Sequence, residues 1–533
     1  MKTKFLSAAI FATLAASLSA HAAPPAHSAA ATRAQNALSA NPSAAQRNAG
    51  DAFDVRDVVV DANGTEHVRM DRTYRGLPVF GGDVVVHSRN GKLTSVSHTV
   101  RSSVRPDLKE QVGAAAAVEA AAASFGAGYE RVPTLRKVLY ARHMAPILAW
   151  EVQLEGADAE GSLLDKTYFV DARNGKLLLG VSNIHSGKGG GSTSTTTTSN
   201  TPGQAAVGTG RSLLNGSVLM DTTTTGSGFG LTDATRSNSV TRNANGALIS
   251  EAAALSTPFV DGDNIWGDGT KRNSATIAAD AHYGLAASWD YYKQAFGRLG
   301  IGNDGAGATS YVLVGYGARG NAYWYRGAMY FGDANRLFQP MVSLDIVGHE
   351  MSHGVTQATA GLVYSGESGG LNEATSDIFG SMVEHFANNA QDVPDYTIGE
   401  RVSLSDPMRY MYKPSLDGKS ADCYSAAVMS MDPHYSSGVG NHFFYLLAEG
   451  AVAPANTTVT PAQLVCNGNT ALRGVGRDAA QKIWYQALTK YMTSNTNYAA
   501  ARVATLQASA DLFGVGSVQQ QAVAAAWSAV SVD

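Results

Sequence analysis

Along residues 52–104, apolar and polar positions alternate in short runs, the period of strands. Val58-Val59-Val60 leads to a turn at Asn63-Gly64, and Asp83–His87 and Leu93–Val100 flank Asn90-Gly91, the strongest short hairpin signal. Residues 112–125, mostly Ala with Val and Glu, predict a helix. Strands are predicted again at 136–142, 147–154 and 167–170, followed by a turn at Asn174-Gly175 and a return over Lys176–Leu179. Arg-Asn-Gly-Lys-Leu stands at 89–93 and again at 173–177, which predicts one hairpin chemistry used twice, without the fixed period of a solenoid. Residues 205–332 carry short β-like stretches between Gly/Asn/Thr turns, with one helical segment near 276–297. From 340 onward the pattern turns helical. An α+β chain is expected, whose second part has two lobes with a cleft between them.

Composition places the chain among globular proteins: 533 residues, 44% apolar and 16% charged, enough for two or three domains. The net charge of −4 gives no case for nucleic acid, which wants a clustered basic face. Lys2 and Lys4, an apolar Phe5–Leu18 and Ala20-His21-Ala22 read as a secretory signal over residues 1–22. The apolar stretch falls short of the ~20 residues of a spanning helix. A secreted, extracellular protein with no membrane contact after signal removal is therefore expected. The Ala/Ser/Pro-rich residues 23–50 are expected to be loosely ordered. Gly187–Pro202 holds Gly, Ser, Thr and Asn and reads as a protease-accessible linker, either a tether or a processing junction. Cys423 and Cys466 could pair in an oxidising compartment; two buried free thiols are the alternative.

The candidate chemistry begins at His349-Glu350-Met351-Ser352-His353. Histidines four apart share one helix face and can bind one Zn2+. Glu350 can reach a water at that metal without being a ligand, the general-base position of zinc proteases. An isolated match also fits two surface histidines and a solvated Glu. Catalytic zinc needs a third protein ligand, and Glu373, 20 residues after His353, is the obvious candidate. Asp377, one helical turn further, could accept a hydrogen bond from the other nitrogen of a ligand histidine.

These residues closely resemble the thermolysin-like metalloproteases, the family of thermolysin, pseudolysin and vibriolysin. The resemblance covers most of 205–533 and is carried by Asn321-Ala322-Tyr323-Trp324, Asp345 through Gly354, Gly361-Leu362-Val363-Tyr364, Asn372 through Asp377, Arg409-Tyr410-Met411 and Asp432 through Gly438. The last block and Phe444-Tyr445-Leu446-Leu447 look nearest to the pseudolysin and vibriolysin branch. Gly76-Leu77-Pro78-Val79-Phe80-Gly81-Gly82-Asp83 resembles the fungalysin/thermolysin propeptide module, and the segment from about 112 looks like a PepSY module.

The resemblance implies a thermolysin-like two-lobed catalytic domain, with a β-rich N-lobe, a mainly α C-lobe and a central zinc-binding helix, behind an α+β propeptide. Its divisions would be signal 1–22, propeptide module 23–111, PepSY-like module 112–186, linker and processing region 187–204, N-lobe 205–352 and C-lobe 353–533. It implies one catalytic Zn2+ on His349, His353 and Glu373, with Asn372 and Asp377 behind the ligands. Glu350 would be the general base, and His434, oriented by Asp432, and Tyr364 would donate to the developing oxyanion. Asn321, Ala322 and Arg409 would hold the substrate backbone. The primed-side pocket would be Phe338, Met341, Ile346, Ile398, Val402 and Met408, so cleavage before bulky hydrophobic residues is expected. At least one structural Ca2+ would take Asp345, Glu384, Asp395, Glu400 and the Thr397 carbonyl. Thr397 lacks an acidic side chain and the Asn388–Pro394 loop is altered, which puts a second calcium in doubt. Partners would be protein and peptide substrates and the chain's own propeptide, acting as intramolecular chaperone and inhibitor on a monomer. A binding or inhibitor protein on a protease-like scaffold is disfavoured by the presence of Glu350, Tyr364 and His434. A zinc hydrolase acting on another amide remains an alternative.

Overall fold

The computed structural model describes residues 25–159, 161–186, 203–455 and 457–533. The signal segment 1–22 and residues 187–202 of the linker lie outside the described residues.

Residues 25–45 differ from the loose segment expected of them. They form a helix, Pro25–Ala40, and a 3-10 turn, Pro42–Ala45. Ala30, Ala34 and Leu38, spaced four apart, are fully buried against Phe53, Val68, Met70, Val84 and Val86. Alanine is the best helix former, and a stripe of small residues is enough where the facing sheet supplies the bulk.

The N-terminal part, residues 51–182, is built on one nine-stranded sheet. Antiparallel Asp51–Val60, Thr65–Tyr74, Val84–Arg89 and Lys92–His98 form its first part, and Thr134–Tyr140, Ile147–Ala157, Leu163–Asp171 and Leu177–Ser182 its second. Leu77–Phe80 joins them by parallel pairing of Val79 with Leu139 and Phe80 with Tyr140. The helix Ala114–Phe125 packs on the second part through Ala117, Ala121 and Phe125.

The repeated Arg-Asn-Gly-Lys-Leu segments form different turns. At 89–93, Asn90 (φ 51°) and Gly91 (φ 73°) are both left-handed and Arg89 pairs with Lys92, the two-residue loop that Asn-Gly favours. At 173–177 only Gly175 is left-handed, because the Asp171 carboxylate accepts from Arg173 N at 2.9 Å and draws the preceding residues into a wider loop.

Beyond residue 203, a five-stranded and a seven-stranded sheet flank the long helix Ser274–Phe296. The seven-stranded sheet ends in the short strand His185–Ser186 of the N-terminal part, which lies on Ala322–Tyr325: His185 pairs with Trp324 and Ser186 with Tyr323. The second half is helical, with Leu344–Ala358, Gly366–Ala387, Gly438–Glu449, Arg477–Gln486, Tyr498–Phe513 and Val518–Ala529. One apolar core runs through both lobes, from Trp289 and Tyr292 to Trp484 and Trp527. Cys423 and Cys466 are joined in a disulfide that ties the loop before Gly438–Glu449 to the segment preceding Arg477.

Candidate active site

The helix Leu344–Ala358 is buried almost throughout, from Leu344 to Thr356. It crosses the helix Gly366–Ala387 at very short range, and two glycines allow this. A Cβ on Gly348 would lie 3.1 Å from Gly380 Cα, and one on Gly380 would lie 2.5 Å from Asp345 O. The close crossing sets His349 and His353 against Glu373 and Asp377, which share a face at i, i+4.

There His349 Nε2 and His353 Nε2 stand 3.0 Å apart. Glu373 lies 3.5 Å from the first and 3.3 Å from the second. All three side chains are buried, and Glu373 Oε2 has no hydrogen-bond partner. Two imidazole nitrogens and an orphaned carboxylate oxygen, with ligand atoms within 4.8 Å of one another, fit a Zn2+ ion. Each histidine is fixed from behind: Nδ1 of His349 faces Asp377 at 2.9 Å, and Nδ1 of His353 faces Asn372 Oδ1 at 2.8 Å. Asn372 in turn donates to Leu362 O at 2.9 Å.

Glu350 is buried on the same helix and its Oε2 is unpartnered. Burial, then the Glu373 carboxylate, pushes its carboxyl well above the usual range. A divalent cation on the histidines would oppose that push. Burial would also raise Glu373, but the imidazoles of His434, His353 and His349 outweigh it and hold this carboxyl well below the usual range.

On the other wall, Tyr364 OH donates to Glu373 Oε1 and lies 3.2 Å from His434 Nε2. His434 Nδ1 is 2.6 Å from Asp432 Oδ1, which also accepts from His434 N as the cap of the short helix Pro433–Ser436. Burial would lower the His434 pKa; Glu373 and Asp432 reverse that and raise it.

Arg409 sits beside Ile398 in a two-stranded ribbon. Its fork closes on Asp377, with Nε at 2.8 Å and Nη2 at 2.6 Å, rather than pointing freely into the cleft. Asn441, which the sequence reading passed over, donates to the same carboxylate at 2.8 Å. Only its place on the cleft-facing helix Gly438–Glu449 marks it, and no local motif does.

Ala322 is buried in the edge strand, and Asn321 caps it, accepting from Ala322 N at 3.0 Å. Met341, Ile346, Ile398 and Val402 are fully buried, with Phe338 and Met408 half-buried against the same core. Phe338 bridges to Ser403, and Met408 N donates to Ile398 O at 2.8 Å, so these segments are laced together.

Of the acidic residues considered for calcium, Glu384 and Glu400 come together with Asp392, which the sequence reading left out within the altered loop. Glu384 Oε1 and both Asp392 oxygens are buried without hydrogen bonds. Burial and the crowding of Asp345, Asp392 and Asp395 push Glu384 up to about 12 and Glu400 up to about 9. Such a set fits a hard divalent cation. Asp345 adjoins it, accepting from Gly399 N at 2.6 Å. Asp395 turns instead to Thr397, accepting from its N at 2.6 Å and its Oγ1 at 2.7 Å.

A two-lobed fold with a buried His-Glu-x-x-His helix packed under a sheet edge defines a metallopeptidase. The thermolysin metallopeptidase catalytic-domain profile matches residues 207–357, the thermolysin metallopeptidase α-helical-domain profile 360–532, and the fungalysin/thermolysin propeptide motif 51–100. The chain is 33% identical to thermolysin of Alicyclobacillus acidocaldarius over 500 residues, covering 89% of this chain and 84% of that one. It is 41% identical to the transglutaminase-activating metalloprotease of Streptomyces mobaraensis over 489 residues, spanning 90% of this chain and 60% of the relative's length. A precursor of protealysin from Serratia proteamaculans is a solved structure with 28% identity, covering 55% of this chain and 87% of that one with a TM-score of 0.41. The chain belongs to the thermolysin family of metallopeptidases, a family of zinc metalloendopeptidases.

Proposed function

We propose that the protein is a secreted, zinc-dependent endopeptidase made as a self-inhibited zymogen, exported by the signal 1–22 and processed within 187–204. The observation that carries the reading is the convergence of His349, His353 and Glu373, the two histidines on a helix tied to the edge strand Ala322–Tyr325 where Trp324 Nε1 donates to Gln357 Oε1 at 2.7 Å. A bare strand edge is what an extended peptide pairs with, and its backbone then crosses the site.

Zinc held by His349, His353 and Glu373 would supply Lewis-acid polarisation of the scissile carbonyl and activation of water. Glu350 takes the proton of the attacking water and later passes it to the departing amine. Its buried, unpartnered oxygen is a ready acceptor. Tyr364 OH, turned from Glu373 towards the substrate, and His434 Nε2, 3.2 Å away, would donate hydrogen bonds to the oxygen on which negative charge develops. Asp432 keeps the donor nitrogen of His434 turned inward. Asn321 and Ala322 hold the substrate backbone, and Arg409 does so with what its bond to Asp377 leaves unused. Half-buried Phe338 and Met408, backed by Met341, Ile346, Ile398 and Val402, receive a bulky hydrophobic P1' side chain. Glu384, Asp392 and Glu400, beside Asp345, hold one calcium.

Self-inhibition is supported by His185–Ser186, which occupies the sheet edge an extended substrate would use. The His185 ring lies 5.0 Å from that of Tyr364 and 5.5 Å from that of His353. Residues 23–111 and 112–186 would act together as chaperone and inhibitor, the second as a PepSY-like module.

The test is expression of the wild type beside Glu350→Gln. The wild type should lose about its first 200 residues, digest casein-like substrates and stop with a zinc chelator. Glu350→Gln should bind zinc yet stay unprocessed with no other protease present. Equal proteolysis by both would sink the mechanism.

A further inference from the structure

The Gly76–Asp83 block and the strand before it do more than build the pro-region sheet. Arg69, on Thr65–Tyr74, is buried, and its guanidinium reaches into the catalytic half. Nη1 donates to Met492 O at 2.8 Å, and Nη2 to Thr489 O at 3.1 Å and Leu488 O at 3.5 Å. These carbonyls end the helix Arg477–Gln486, which runs on through a π turn over Ala487–Tyr491. A helix C-terminus leaves carbonyls without intrahelical partners and carries partial negative charge, so a cation placed there is stabilised. Burial lowers Arg69 to about 10, which still leaves it charged at neutral pH.

Contacts around this point are polar and matched. Asp83 accepts from Ser494 N at 2.9 Å and from Ser494 Oγ at 2.5 Å. Lys490 Nζ donates to Asp61 at 2.5 Å. Gly81 (φ 74°) comes so close that a Cβ there would lie 2.0 Å from Asn495 Nδ2. The Tyr491 ring stacks on His87 at 4.8 Å. None of these residues belongs to the cleft.

We propose that the helix end at Leu488–Met492 is a guanidinium-binding site on the catalytic half, that its ligand is Arg69 of the protein's own pro-region, and that a cleaved pro-region therefore stays attached through a second point besides the cleft. Three main-chain carbonyls take the planar fork, and the Ser494 and Lys490 contacts orient the strand that delivers it. Attachment no longer depends on His185–Ser186 keeping its place on the sheet edge. The inference rests on the reading that the chain is cut between pro-region and catalytic half.

The test uses the full chain in a Glu350→Gln background, with a site-specific protease sequence inserted within 187–202. After cutting, the two parts should co-elute on size exclusion. Arg69→Ala should speed release of the pro-region by about tenfold or more, since truncation leaves buried carbonyls unpaired, and Arg69→Lys by less. Ser494→Ala, made on the catalytic side, should speed release several-fold. Arg69→Ala releasing no faster than the background chain overturns the proposal. Should Arg69→Ala fail to accumulate folded, unchanged release from Ser494→Ala combined with Asp83→Asn overturns it equally. Wild type that does not cut itself while the inserted-site chain behaves as stated removes the zymogen reading and leaves this site standing.

Discussion

His349 turns its Nδ1 to Asp377 at 2.9 Å, and this contact decides which nitrogen of the ring faces Glu373. Asp377 is itself gripped by Arg409 and Asn441; burial would raise its carboxyl, but Arg409 and then His349 hold it far below the usual range. Asp377→Ala should therefore weaken zinc binding by about 10–100-fold, as loss of a partner behind a metal ligand commonly does. Competition with a chromogenic chelator measures it. Asn441→Ala should lower affinity by less, and an unaltered affinity in Asp377→Ala would refute the clamp.

Tyr364 and His434 meet at 3.2 Å on the wall opposite Glu350. If both donate to the developing oxyanion, Tyr364→Phe or His434→Ala should lower kcat by about 10²–10³ with KM little changed. A change confined to KM would assign them to substrate binding alone.

Docking of the pro-region should weaken in acid. His87 is buried beneath Tyr491, and burial, then the neighbouring His67 and Arg69, lower its pKa to about 3; Asp61 opposes this. A group whose folded pKa is depressed from 6.5 binds its proton only when the site opens. The docked state is thus most stable above pH 6.5 and loses stability as pH falls from 6.5 towards 3. At pH 5 the loss amounts to at most roughly 2 kcal/mol. Release rates of a cut pro-region between pH 7 and 5 read it, and His87→Gln should flatten the dependence.

Asp392 is the residue to remove from the acidic cluster. If the cluster holds calcium, then at about 100 times its dissociation constant binding would add about 2.7 kcal/mol to stability. Chelation or Asp392→Asn should take that away and lower the thermal midpoint, whereas Asp395→Asn, whose carboxylate serves Thr397, should cost less. Equal losses would place Asp395 among the ligands.

The Cys423–Cys466 bridge spans 43 residues. By loop-closure entropy its removal should destabilise the catalytic half by roughly 4 kcal/mol. Cys423→Ser with Cys466→Ser, compared in denaturant, measures this.

What the sequence disclosed depended on whether the cause was local. The Asn90-Gly91 hairpin, the alanine helix at Ala114–Phe125 and the histidine spacing on Leu344–Ala358 follow from neighbours in the chain, and the two-lobed α+β plan follows from their order. The helix Pro25–Ala40 was hidden because its apolar stripe is alanine, informative only once the facing Val68 and Val84 are known. Asn441, Asp392 and the engagement of Arg409 by Asp377 were hidden because each depends on a contact across the fold. Arg69 is the extreme case, bonded to Met492 some 423 positions away.

The seven-stranded sheet carries a last consequence. While His185–Ser186 lies along Ala322–Tyr325, Tyr323 and Trp324 are paired on that edge. Removal of the pro-strand leaves a naked row of amides and carbonyls, the adhesive edge that most soluble sheets take care to blunt. The same surface that would draw in substrates would then draw in loops of sibling molecules, so a concentrated stock of the ripened protein should digest itself, while the uncut form keeps.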